Sequence, residues 1–256
     1  MNDENGENFE WHDIGAAFGL LTRLPIPVDH QRAGERGARS VWAYPVVGGA
    51  LGALAGVFGL LLLYLGAPVG VSAAGALAAL ILSTGALHED GIADCADGLG
   101  GGRDRERRLE IMRDSRIGAF GAAALALVIL ARWSAIESLI GAGSLFWPMV
   151  AVGAASRLPM VMAMFIMEPA RTDGLSSGIG TPPTQAVLAA FFAALLIAVF
   201  ALGWGGIAVL FWAGLATLPL LFLAQARIGG QTGDILGGSQ QLAEIGALAA
   251  AAASMG

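Results

Sequence analysis

Runs of about twenty apolar residues, three pairs of them joined by very short turns, leave this chain few ways to fold. Residues 42–65, 69–87, 117–140, 145–167, 184–202 and 206–224 hold only three charged side chains between them: Arg132, Glu137 and Arg157. A helix rises 1.5 Å per residue, so about 20 such residues cross the hydrocarbon of a bilayer. In that solvent every backbone N–H and C=O must pair within the chain, and the expected class is all-α and polytopic. Composition agrees, with 13% charged residues where soluble domains carry about 25%. A weaker, alanine-rich stretch at 242–254 brings the expectation to about seven transmembrane helices. Nothing marks a second domain, so residues 1–256 read as a single membrane-embedded unit.

The arginines set the orientation. All 14 basic residues are arginine, and basic residues collect on the cytoplasmic side. Placing residues 1–40 inside also puts 88–116, 168–183 and 225–241 inside, while the turns at 66–68, 141–144 and 203–205 carry no charge. Residues 1–13 are acidic, lack the basic start of a cleavable signal, and read as a disordered cytoplasmic tail. The apolar stretch 14–21 is too short to cross and runs into Thr22-Arg23 and Pro25-Ile26-Pro27. Residues 14–27 therefore read as an interfacial or re-entrant segment.

Within the spans, Gly48, Gly52, Gly56 and Gly59 form a stripe along which helices can approach closely. Arg132 and Glu137 are expected to snorkel to the far interface. Arg157, inside a span, is either beside a site or in a structural ion pair. The single cysteine, Cys95, excludes an internal disulfide and reads as filler.

Between the second and third spans lies a dense polar island, residues 84–121. On a helix, Asp90, Asp94 and Asp97 fall within an arc of about 60°. Carboxylates held that close repel one another unless a cation sits among them. An all-oxygen donor set suits a hard ion such as Mg²⁺ rather than zinc. The run Gly98-Leu99-Gly100-Gly101-Gly102 then ends the helix, and Gly100 and Gly101 let backbone approach a ligand. Arg103, Arg105, Arg107, Arg108, Arg113 and Arg116 follow. Acid cluster, glycine bend and arginine array together read as a metal-plus-phosphate site, although any one arginine is explained by membrane orientation alone.

The run from His88 to Gly121, HEDGIADCADGLGGGRDRERRLEIMRDSRIGAFG, resembles the signature of the cobalamin synthase (adenosylcobinamide-GDP ribazoletransferase) family. So do residues 19–27, GLLTRLPIP, and residues 229–237, GGQTGDILG. The likeness spans nearly the whole chain; Arg113 stands where members often carry lysine. It implies a bacterial inner-membrane enzyme that joins adenosylcobinamide-GDP to α-ribazole or its 5′-phosphate and releases GMP. Those small molecules and membrane lipid are the partners implied, without nucleic acid; a homo-oligomer stays open. Asp90, Asp94 and Asp97 would hold Mg²⁺, with Glu89 a further ligand or a support to one. Arg103, Arg105, Arg108 and Arg116 would neutralise the diphosphate, and Arg23 would contact substrate. Asp234, a central aspartate or His88 would take the attacking hydroxyl's proton, His88 being equally suited to orienting a metal-bound carboxylate. Residue types alone also allow Asp234 to cap the helix after it. Rival classes are a CDP-alcohol phosphotransferase or prenyltransferase, and an ion-coupled transporter, which buries its acids near the midplane of broken helices.

Overall fold

The computed structural model describes residues 9–255. Among them there is no strand, only an isolated bridge between Pro169 and Gln231. The helices are α1 (Trp11–Leu21), α2 (His30–Glu35), α3 (Tyr44–Tyr64), α4 (Val69–Thr84), α5 (Leu87–Gly101) and α6 (Arg105–Ile111). There follow α7 (Ala119–Gly141), α8 (Phe146–Ile166), α9 (Leu175–Ile179), α10 (Thr184–Leu202), α11 (Gly205–Ile228) and α12 (Gly233–Ala253). Five helices are long and apolar enough to cross a membrane: α3 with the 3₁₀ turn Ser40–Ala43 before it, α7, α8, α10 and α11. Phe192, Phe200, Phe211 and Phe222 stand exposed on α10 and α11, as lipid-facing side chains do. The chain is a multi-pass membrane protein.

The glycine stripe does what its spacing predicts. A Cβ on Gly48 would collide with Gly153 O, and one on Gly52 with Met149 O, so α3 lies backbone to backbone on α8. Gly59 faces Leu145 and Ala76 in the same way, which seats α4.

Two expected spans take a different form. α4 and α5 are long and apolar enough for a crossing only together, and the pair is bent by 87°. The bend comes from two successive left-handed residues, Gly85 at φ 64° and Ala86 at φ 58°. We read α4 as the crossing arm and α5 as an arm turned out of its direction. The acidic segment, expected as a helix starting at the membrane surface, is a helix, but one packed between α7 and α12. The seventh expected span, 242–254, is part of α12, which has 21 residues but holds Ser239, Gln240, Gln241 and Glu244, all buried. Wrapped by α5, α7, α8 and α11, it keeps those groups away from lipid, where they would be costly.

Near the N-terminus, residues 1–8 lie outside the described residues. The rest of the expected tail is ordered, because Asp13 in α1 is fully buried. Its carboxylate accepts from Arg36 Nε at 2.6 Å and Trp42 Nε1 at 2.9 Å. α1 itself is short and packs against the start of α3, consistent with a segment that does not cross.

Candidate active site

The face of α5 divides its acids between two environments. Residue 89 lies about 100° around the helix from residue 90, and that rotation sends Glu89 into the bundle. Glu89 Oε1 accepts from Arg132 Nη1 at 2.6 Å and from Gln241 Nε2 at 3.2 Å. Arg132, expected at the far interface, is instead 1% exposed and also bonds Glu244, through Nε at 3.0 Å. Arg157 joins the same network, with Nη1 3.7 Å from Glu244 and 2.8 Å from Ser156 Oγ. Glu89 is therefore held as half of a buried ion pair and does not stand with the aspartates as a ligand. Arg157 takes the structural role of its two alternatives.

On the other face, Asp90 is exposed while Asp94 and Asp97 are half-buried. Asp97 is engaged with backbone: its Oδ2 accepts the Gly118 N–H at 2.7 Å and its Oδ1 the Gly121 N–H at 2.9 Å. Gly118 is the N-cap of α7 and has no side chain to bond the first turn. Asp97 supplies that cap from α5, which ties the two helices together.

The fourth aspartate comes from α12. A Cβ on Gly91 would stand 2.9 Å from Asp234 O and 3.1 Å from Gly237 Cα. Glycine at the crossing lets α5 and α12 meet almost backbone to backbone, and that approach sets Asp234 beside Asp90 and Asp94. Asp234 does not cap α12: Thr232 is the N-cap, its hydroxyl accepting the Ile235 N–H at 3.3 Å. Instead Asp234 Oδ2 accepts from Arg171 Nη2 and from Thr232 Oγ1, each at 3.2 Å.

Arg171 reaches Asp234 because the loop after α8 is pinned to the loop before α12. Ala170 N–H donates to Gln231 O at 2.7 Å and Gln231 N–H to Glu168 O at 2.9 Å. Sequence reasoning missed Arg171 as a site residue. Its only signal was position, on the same predicted face as the aspartates.

Burial raises the Asp94 carboxyl to about 7, and the charges of Asp90, Asp234 and Asp97 add to it while Arg171 opposes. Burial likewise lifts Asp234, against the pull of Arg171 and Thr232. Among the described residues no three His, Cys, Asp or Glu side chains converge as a ready-made metal cage. Mg²⁺ needs none, since it keeps several waters and takes one or two carboxylates together with substrate phosphates. A surplus of carboxylate over arginine, in oxygen donors only, fits that ion.

The expected phosphate arginines are placed unevenly. Arg105 donates through Nε to Ile228 O at 2.9 Å and through Nη2 to Ala170 O. Arg108 donates to Arg227 O and Arg103 O, both at 3.3 Å. These two peg α6 to the end of α11, which occupies much of their donor capacity. Arg116 pairs with Asp114 at 2.6 Å in solvent. Arg103 is exposed with no side-chain partner among the described residues. Arg23 lies along the bend, its Cγ 2.6 Å from where a Cβ on Gly85 would stand. The glycine run packs as much as it opens: α5 continues to Gly101, Gly98 sits under Met112, and Gly100 lies against the Phe120 ring.

A cavity of about 180 Å³ opens beside the aspartates. Asp90, Asp234 and Arg171 line its charged part, and Leu20, Leu21, Met160, Met164 and Ile179 line the apolar part. Tyr44 and His88 line it too. Tyr44 Oη and His88 Nε2 are buried without a hydrogen-bond partner.

The profile of the cobalamin-5-phosphate synthase family matches residues 13–252. An adenosylcobinamide-GDP ribazoletransferase of Bradyrhizobium diazoefficiens is 44% identical over 242 residues, covering 94% of this chain and 93% of its own. One from Mesorhizobium japonicum is 41% identical over 244 residues, covering 95% and 93%. One from Brucella ovis is 37% identical over 247 residues, covering 92% and 94%. No solved structure matches the chain. With the match running from α1 to the end of α12, through every element that builds the site, this chain belongs to the cobalamin-5-phosphate synthase family.

Proposed function

We propose that this chain joins adenosylcobinamide-GDP to α-ribazole, or to its 5′-phosphate, and releases GMP, with Mg²⁺ as cofactor. The observation that carries this reading is the meeting of α5 and α12, which sets Asp94 beside Asp90 and Asp234 and brings those two, with Arg171, into the lining of one cavity. A ribazole hydroxyl oxygen forms the new bond to the phosphorus next to the cobinamide, and the bond from that phosphorus to the departing GMP breaks.

Each side chain has a task suited to its surroundings. Asp234, lifted by burial, accepts the hydroxyl's proton. Arg171 holds Asp234 through Nη2 and keeps its buried Nη1, which has no partner, for a phosphate oxygen. Asp90 and Asp94 would hold Mg²⁺, which when bound would neutralise the diphosphate and polarise the phosphorus under attack. Asp97 acts at one remove, fixing α5 against the first turn of α7. Phosphoryl transfer depends mostly on positioning and charge, and this arrangement supplies both.

The same reading places the protein in the bacterial inner membrane with the aspartates facing the cytoplasm. It rests on the arginines of 88–116 and on Arg171 and Arg227, which gather at the aspartate end of the bundle. In this reading lipid surrounds the exposed aromatic faces of α10 and α11. The test is purified protein in lipid discs with both precursors, with and without Mg²⁺. GMP released in step with a new corrinoid phosphodiester supports the reading; no GMP at saturating precursors and Mg²⁺ rejects it.

A further inference from the structure

We propose that the cavity lined by α1, α3, α8 and α9 on one side and by α5 and α12 on the other is the subsite for the aromatic base of the acceptor nucleoside, an uncharged two-ring nitrogen heterocycle, gauged by Ile179 and Tyr44. This deepens the transferase reading and rests on it for the identity of the acceptor.

Size and lining come first. A dry apolar cavity of about 150 Å³ takes up benzene, so one of about 180 Å³ with an open mouth has room for a fused pair of rings. It has no room for a corrin. The walls are the aliphatic ends of Leu20, Leu21 and Ile179 with Met160 and Met164. The two methionines are four residues apart on α8 and so share a face. Thioether sulfurs make favourable contacts with aromatic rings.

Polarity narrows the class further. Tyr44 and His88 are each 1% exposed, and Tyr44 Oη and His88 Nε2 lack partners. Buried polar groups are rarely left unpaired, so these two point to a ligand that brings one or two polar atoms. A ring nitrogen with a free lone pair accepts from the Tyr44 hydroxyl. An acyl chain would leave both atoms unpaired. Guanine, the base of the donor, has more polar edge atoms than Tyr44 Oη and His88 Nε2 can meet, and it would have to draw on Ser176 or on the Asp90, Asp234 and Arg171 groups that the reacting atoms need. Asp90, Asp234 and Arg171 line the same cavity. A base among the methionines therefore leaves its ribose at the aspartates, where the reacting hydroxyl is needed.

The test uses the full chain in lipid discs. Equilibrium dialysis measures α-ribazole binding without the donor, and steady-state kinetics give KM for each precursor. Ile179→Trp fills the cavity from α9, and Leu20→Trp fills it independently from α1; thermal unfolding checks that each is folded. Both are expected to weaken ribazole binding and raise its KM at least tenfold, with KM for adenosylcobinamide-GDP within twofold of wild type. Tyr44→Phe is expected to abolish the preference for a benzimidazole riboside over the indole riboside, which lacks the ring acceptor. A rise in the donor's KM instead assigns the cavity to guanine and overturns the proposal. Folded tryptophan variants with neither constant changed leave it to lipid and overturn it equally. Ribazole that binds wild type, is blocked by both tryptophans, yet is never transferred, upholds the subsite and rejects the transferase reading.

Discussion

Arg171 Nη2 lies 3.2 Å from Asp234 Oδ2, and that contact joins the loop after α8 to the first turn of α12. The guanidinium stands among aspartates drawn from two different helices, Asp94 on α5 and Asp234 on α12. Its planar fork can hold Asp234 with one nitrogen and a phosphate oxygen with another.

Arg171→Ala is expected to lower turnover about 10²- to 10³-fold, the scale for losing one donor to developing charge. Arg171→Lys restores the charge but not the fork and should recover only part of the rate. Steady-state kcat on folded protein decides it; a lysine variant at the wild-type rate would show that charge alone suffices.

Asp94 makes stability depend on pH. Its carboxyl is pushed up from an ordinary 3.8 to about 7, first by burial and then by Asp90, Asp234 and Asp97. Between those values the folded chain keeps a proton that the unfolded chain has lost, so this contribution is whole below the ordinary value and fades as pH rises through about 7. Without divalent ions, Tm is expected to fall from pH 5 to pH 8, and Asp94→Asn to flatten that fall. Mg²⁺ should raise Tm at pH 8 and do little at pH 5, because it competes with the proton. An equal slope in Asp94→Asn would remove Asp94 as its source.

The ion network below the site is sensitive to a single deletion. Arg132 pairs with Glu89 at 2.6 Å and with Glu244 at 2.8 Å, all three buried. Arg132→Met strands two carboxylates and is expected to cost about 3–5 kcal/mol, whereas removing every charge together is often near neutral. Arg157 is the fourth buried charge of the network, so Arg132→Met and Arg157→Met with Glu89→Gln and Glu244→Gln should unfold close to wild type. If the quadruple variant is as unstable as the single one, the cost lies in packing.

The α4–α5 bend holds strained backbone. Ala86 is the one described non-glycine residue at positive φ, and a left-handed conformation costs an L-residue about 1–2 kcal/mol. Ala86→Gly is expected to raise thermal stability. Gly85→Ala should lower it, since it adds the same strain at φ 64° and drives a Cβ to 2.6 Å from Arg23 Cγ. Opposite signs in the two unfolding midpoints are the observation to look for.

How much of this is legible in the residues depends on whether the cause is local. The crossings at α3, α7, α8, α10 and α11 follow from composition, and Gly48 and Gly52 marked the contact with α8 because a glycine period is a local signal. The helical arc of Asp90, Asp94 and Asp97 was also readable, since it depends on α5 alone. What each acid bonds was not. Glu89, read as a further ligand or a support to one, and Asp97, read as a ligand, gave no sign of these bonds, because nothing near them in sequence announces Arg132, 43 residues on, or the Gly118 amide, 21 residues on. The bend at Ala86 was hidden for a different reason: alanine is a poor sign of positive φ, and the surrounding packing holds it there.

Thr232 and Asp234 separate a structural from a chemical role within three residues. Thr232 caps α12 by accepting the Ile235 N–H, and its hydroxyl also donates to Asp234 Oδ2. Thr232→Val removes the cap and is expected to cost about 1 kcal/mol, with turnover reduced only several-fold because Arg171 still orients Asp234. Asp234→Asn leaves the cap in place and removes a charge that burial opposes, so the variant should be at least as stable as wild type. Its amide oxygen still accepts from Arg171, so the geometry is kept. What it lacks is the capacity to take a proton, and turnover is expected to fall about 10²-fold or more, the usual scale for a general base. Tm and kcat measured on both variants give the crossed pattern: stability lost at 232, rate lost at 234. An Asp234→Asn enzyme that turns over within a few-fold of wild type, with normal Tm, would pass the proton to Asp90, Asp94 or His88 and leave Asp234 as Arg171's anchor.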